Sequence, residues 1–358
     1  VARAAQALLY AHRNGALDDL TETLVDSAHR KADELLAVLA EEETSAVCRA
    51  VDRWAHDERP ARRVAAVAYG LRAAPHVHTE ADRELLRYAA LALLARPDDC
   101  TLHSGAVALL VRDPRTRARH LPQALALFEA ADPQFPPSAL VAALTTHPEP
   151  VLDAFRARLN RPDAGQALHT LADVTTPGLA LRVGALVREA VGRHPEIAAD
   201  VATYVDRRLD HGITARTVIF PLVTGLLDSG TEQVRAALAA VLATPGTPES
   251  RPLRRELRAF LLAHERAPAV LDAFLQATVQ RGGDDLRGLV HHTGLLLVRT
   301  PDGAARFDRG LVDLGRRVPG FAAQVAGWLS DAPQEWSAVV GPSSRRMIEN
   351  LAGVRVPA

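Results

Sequence analysis

The sequence predicts an all-α protein built as an α-solenoid of stacked antiparallel helix pairs, about twenty helices in all. Three observations predict it. Apolar residues recur at i, i+3, i+4, i+7 along most of the 358 residues. Proline or glycine punctuation falls every fifteen to twenty residues or so. Aromatic residues are only 4% of the chain, and the apolar side chains are dominated by Ala, Leu and Val, which let helices approach closely.

The buried stripes are read, in order, as Val64, Val67, Ala68 and Leu71; Leu85, Tyr88, Ala89 and Ala92; Val234, Ala237, Leu238 and Val241; and Val270, Ala273, Phe274 and Ala277. The boundaries between helices fall at pairs such as Arg59-Pro60, Arg96-Pro97, His147-Pro148, Thr176-Pro177, His194-Pro195, Gly282-Gly283 and Gly341-Pro342. Helices of about twelve to sixteen residues between these marks pair into units of roughly 35. The one β-branched cluster, Thr217 to Val223, is assigned to a helix carrying Pro221. Two Pro-rich stretches, Asp132 to Pro150 and Thr244 to Pro252, are boundary candidates. They suggest an N-terminal half over 1–150 and a C-terminal half over 151–358, with one continuous array as the alternative.

Asp57 to Leu71, with Arg62-Arg63-Val64-Ala65-Ala66, resembles the second helix of a HEAT repeat, in which an acidic turn precedes a Val-Arg-x-x-Ala type helix. Asp228 to Leu242, with Val234-Arg235-Ala236-Ala237-Leu238, is similar. The first segment departs from the pattern by placing Arg63 before Val64, and the match covers about two units. Tetratricopeptide repeats resemble the chain less, because they need regular aromatic positions. The HEAT resemblance implies a scaffold or regulatory module that binds along a concave face.

A formal charge of −1 and a pI near 7 give no global attraction to phosphate backbones or anionic membranes. No apolar stretch approaches the roughly twenty residues needed to span a bilayer. Two cysteines make no disulfide framework, and a cytoplasmic location is expected. Beginning at Val1 without a methionine suggests a segment of a longer polypeptide. Lys31 is the only lysine, and the arginine bias reads as GC-rich coding.

Catalytic and cofactor motifs are absent from the sequence: no glycine loop precedes Lys31, no GxG, GxSxG or HExxH occurs, and no catalytic, cofactor or metal residues are assigned. His76 and His78 could share a metal if extended, but no third ligand is identifiable. His291 is expected on the solvent side of its helix and His292 at the edge of the buried stripe. Cys100 and His103 stand at i, i+3, and both Cys100 and Cys48 are expected as buried structural thiols. Asp98-Asp99 and Asp284-Asp285 are read as helix-capping acids, and Glu41-Glu42-Glu43 as a solvated helix end.

Three arginine clusters sit close to the punctuation: Arg59, Arg62 and Arg63; Arg112, Arg115, Arg117 and Arg119; Arg251, Arg254, Arg255 and Arg258. Arg59, Arg62, Arg63, Arg115, Arg117 and Arg119 are expected to form a ridge that binds an acidic protein partner or another domain of the same chain. The competing expectation is a nucleic-acid protein like the HEAT-like DNA glycosylases. The balance of 42 basic against 43 acidic residues disfavours it.

Overall fold

The computed structural model describes residues 16–353 apart from 28, 162, 163, 175 and 284. The described residues are all-helical, with helix accounting for 81% and no strand among them. They divide into two compact units on either side of the Arg158–Leu159 bond. In the first unit run α1 (Leu17–Asp26), α2 (Arg30–Glu42), α3 (Thr44–His56), α4 (Pro60–Ala73), α5 (Glu80–Leu94), α6 (His103–Arg112), α7 (Arg117–Glu129), α8 (Val141–Leu144) and all but the last residue of α9 (Pro148–Leu159). The second unit continues with α10 (Gly165–Ala172), α11 (Pro177–Arg193), α12 (Ala198–Leu209), α13 (Arg216–Ser229), α14 (Glu232–Leu242) and α15 (Arg251–His264). It ends with α16 (Pro268–Arg281), α17 (Leu286–Leu297), α18 (Pro301–Arg317), α19 (Phe321–Asp331), α20 (Pro333–Ser337) and α21 (Pro342–Leu351).

The punctuation acts as the sequence suggests. Pro60, Pro148, Pro177, Pro268, Pro301, Pro333 and Pro342 each open a helix, where a missing N–H costs nothing. Thr79, Thr231 and Thr300 cap α5, α14 and α18 by accepting the N–H three residues on. Thr217 to Val223 lies inside α13 with Pro221 in its interior. No helix among the described residues is long and apolar enough to cross a membrane.

Most helices pack on the next and on the next but one. In the first unit α1, α3 and α5 form one contacting row, and α2, α4 and α6 another. In the second unit α10, α12, α14, α16 and α18 form a row, with α11, α13 and α15 beside it. The longer row starts its helices at Gly165, Ala198, Glu232, Pro268 and Pro301, intervals of 33 to 36 residues. Trp54, Leu36, Leu39 and Leu93 fill the first core, and Tyr204, Phe274, Phe307, Phe321 and Trp336 the second, all essentially without solvent exposure.

Two stripes turn out rotated. On α4, Val64 and Ala68 face solvent, while Arg62, Arg63, Ala66, Tyr69, Gly70 and Ala73 join Val67 inside. On α5, Tyr88 is exposed, and Leu86, Ala90 and Leu93 join Ala89 inside. The reason is polar: the buried faces of these helices carry paired charges (Arg62, Arg63 and Arg87), and an apolar periodicity reads such charges as surface. The stripes of α14 and α16 hold at Val234, Leu238, Val270 and Phe274.

Two glycines allow close approach of helices through apolar contacts. A Cβ on Gly105 of α6 would stand 2.2 Å from a Val67 methyl of α4, and one on Gly294 of α17 would stand 2.6 Å from the ring of Phe307 on α18. Both neighbours lie in packed cores that lack room to recede. Gly105→Ala and Gly294→Ala should each destabilise by about 1–3 kcal/mol despite the better helix propensity of alanine. Urea unfolding checks this, and an unchanged or raised midpoint would contradict the packing.

Candidate functional site

Three of the six ridge arginines are buried. Arg62 on α4 donates to Asp26 of α1 through Nε at 3.0 Å and also pairs with Glu22. Arg63 forks onto Asp99, at 2.6 Å from Nε and 3.0 Å from Nη2, while its Nη1 donates to the carbonyls of Asp57 and Glu58. Arg117 makes no ion pair with a carboxylate among the described residues. It donates to the carbonyls of Val111 and Arg112 at 3.0 and 2.7 Å, and to Thr146 at 3.3 Å. Arg59 and Arg115 are exposed and paired, with Asp57 at 2.7 Å and Glu80 at 3.1 Å. Arg119 is exposed, with no ion-pair partner among the described residues. The structure thus gathers Arg59, Arg62 and Arg63 around Asp57, and leaves Arg59, Arg115 and Arg119 as the ridge members open to solvent.

The electrostatics follow from these contacts. Hydrogen bonds from Arg62 hold the Asp26 carboxyl below its usual range, those from Arg63 do the same to Asp99, and those from Arg59 to Asp57. Burial, opposed by Asp113, pulls Arg117 down.

Several other placements differ from expectation. Asp99 is a salt-bridge acid instead of a cap, and Asp285 opens α17 with no side-chain cap bond. Asp284 lies outside the described residues. Cys100 is exposed, and His103 turns away from it to the Arg96 carbonyl at 3.0 Å. Cys48 is buried as expected, and that burial pushes its thiol up to about 12. His291, not His292, is the half-buried one: its ring meets Trp336 edge-on at 5.0 Å, because α20 lies against α17. Periodicity within α17 cannot reveal a neighbour forty-four residues away. His76 and His78 line a cavity of about 430 Å³ with Glu41, Arg49 and Asp82. Asp82 is engaged there by Ser45 and Thr79, at 2.8 and 2.6 Å. No three His, Cys, Asp or Glu among the described residues are placed to hold a metal ion.

The third arginine cluster is the one that lines an open space. Arg251, Arg254, Arg255 and Arg258 stand at i, i+3, i+4, i+7 on one face of α15, with Arg254 buried at its border with Leu253, Leu257 and Leu261. They line a cleft of about 290 Å³ facing Gly282, Gly283 and Asp285. Arg254 is anchored by Asp206 at 2.6 Å and Asp210 at 3.1 Å. Among the described residues no carboxylate pairs with Arg251, Arg255 or Arg258. The spacing of this cluster is that of a single helix face and is visible in the sequence, but the pairing of Arg254 with Asp206 and Asp210 is not.

Compared with known proteins, the chain matches no family model, no curated protein and no solved structure.

Two expectations follow. Lysine at 117 cannot fork over two carbonyls, so Arg117→Lys should lower stability by about 1–3 kcal/mol, read from urea unfolding. The depressed carboxyls of Asp26, Asp57 and Asp99 stabilise fully above the unfolded aspartate value of 3.8. Their contribution is lost as pH falls from there through the lower folded values. The urea midpoint should therefore drop below about pH 4, and Asp99→Asn should flatten that drop; an equally steep drop in the variant would remove Asp99 from the cause.

Proposed function

We propose that the chain is a non-catalytic helical-repeat module of the HEAT-like kind, a stack of helix pairs that binds an acidic protein partner. The observation that carries this reading is the row spacing of 33 to 36 residues in α10 to α18, close to one helical-hairpin repeat per step. Polar cross-links share that period: Arg62 with Asp26, Arg63 with Asp99 and Tyr69 with Asp33 each span 36 residues, and Ser45 with Asp82 spans 37. Identical offsets at successive positions are what repeating units produce.

The partner chemistry rests on exposed guanidiniums, which suit carboxylates bidentately. Arg119 is free for this, and Arg59 and Arg115 hold solvent-exposed pairs of the kind worth little. A glycosylase-like reading has less to stand on, since it needs aromatics beside the basic residues. Trp54 and Trp336 are fully buried, and Trp328 stacks on Trp336 at 5.4 Å.

A fluorescein-labelled decaglutamate peptide serves as the test ligand. It should bind at low ionic strength, and the triple reversal of Arg59, Arg115 and Arg119 to Glu should weaken it at least about tenfold with helicity intact. Equal binding by the variant, or tighter binding of a 20-base-pair DNA duplex than of the peptide, would refute the reading.

A further inference from the structure

The cleft on α15 has the ingredients of a dedicated anion site. Arg254, only 4% exposed at its side chain, is fixed by Ser250, by the carbonyls of Val241 and Asp206, and by the carboxylates of Asp206 and Asp210. It forms a rigid wall whose own charge is already balanced. Among the described residues no carboxylate pairs with the other three guanidiniums. Arg258 is half-buried: desolvation pulls its pKa down, Asp285 opposes that, and Arg255 reinforces it. A partly desolvated guanidinium beside a second one is held at an electrostatic cost that a bound anion would offset.

The opposite wall suits close approach. Gly282 and Gly283 adopt φ of +67° and +140°, conformations that favour glycine, and a Cβ on either would meet nothing within 4 Å. The backbone there is bare toward open space. Asp285 is the single carboxylate lining the cleft among the described residues.

We propose that this cleft binds a phosphate monoester. A lone carboxylate fills one guanidinium fork. A phosphate monoester brings three terminal oxygens and a charge near −2 at neutral pH, enough to engage Arg251, Arg255 and Arg258 from one helix face. A space of about 290 Å³ holds the phosphate and the first atoms of its carrier and excludes a duplex. The carrier is either a small metabolite or a phosphorylated side chain. The site goes beyond the repeat-module reading and does not require a protein partner.

Inorganic phosphate is the first probe, followed by glucose 6-phosphate and a glycine-flanked phosphoserine peptide, with acetate at matched ionic strength as control. Phosphate should bind in calorimetry and raise the thermal midpoint with concentration. The double variant Arg255→Gln/Arg258→Gln should raise Kd at least about tenfold, while Arg316→Gln, exposed on α18, should leave it unchanged. If the double variant loses helicity, exposed Arg255→Gln alone carries the comparison and should also weaken binding. Tighter binding of the phosphopeptide than of glucose 6-phosphate assigns the carrier to a protein, and the reverse assigns it to a small molecule. Equal effects of acetate and phosphate, or a variant Kd within twofold of wild type, would overturn the proposal. Failure of decaglutamate binding would leave this outcome unaffected, so the two readings fail separately.

Discussion

The interaction that recurs through this fold is a buried arginine donating to the carbonyls at a helix C-terminus. A chain of short helices leaves orphan carbonyls at every helix end, and a buried end without partners is costly. Here arginines meet that demand repeatedly. Arg117 reaches the carbonyls of Val111 and Arg112 at the end of α6, Arg208 those of Ala172 and Val174 at and just after the end of α10, and Arg63 those of Asp57 and Glu58 in the turn that follows α3. Arg254 reaches Val241 at the end of α14 and Asp206 in α12. A positive group near a helix C-terminus also meets the negative end of the dipole.

This device gives the arginine-rich, lysine-poor composition a structural use, whatever its coding origin. A planar fork spans two carbonyls in fixed geometry, and its aliphatic stem packs on apolar neighbours. An ammonium offers a point charge that is more strongly hydrated and poorly matched to paired acceptors. Arg63 shows both uses in one side chain: two nitrogens fork onto Asp99, and the third serves the carbonyls. The helix end and the next-but-one interval are thereby tied by a single residue.

Helix existence was legible in the sequence because proline placement and threonine caps are local signals, and Pro60, Pro177 and Pro301 mark starts without tertiary knowledge. Burial of polar residues was not. Arg62 sits inside because Glu22 and Asp26 stand 40 and 36 residues away, a fact no window of α4 contains. The same blindness exchanged His291 with His292 and placed Cys100 inside. At the α15 cleft, the i, i+3, i+4, i+7 spacing of arginines was visible in the sequence, but which of the four already had partners was not. Asp206 and Asp210 come from α12 and its C-cap, 48 and 44 residues earlier.

That distinction separates structural from available charge. Arg254 and Arg258 are one helical turn apart, yet the first has two carboxylates and two carbonyls, while the second has, among the described residues, only the electrostatic influence of Asp285. Guanidiniums that serve helix ends are spent on the fold, as at Arg117 and Arg208. Among the described residues the donors of Arg251, Arg255 and Arg258 make no bond to a helix end, whereas Arg254 takes the Val241 carbonyl at the end of α14. Among the described residues their placement on the cleft side of α15 serves no helix end, and this is the charge on which the proposed phosphate site draws.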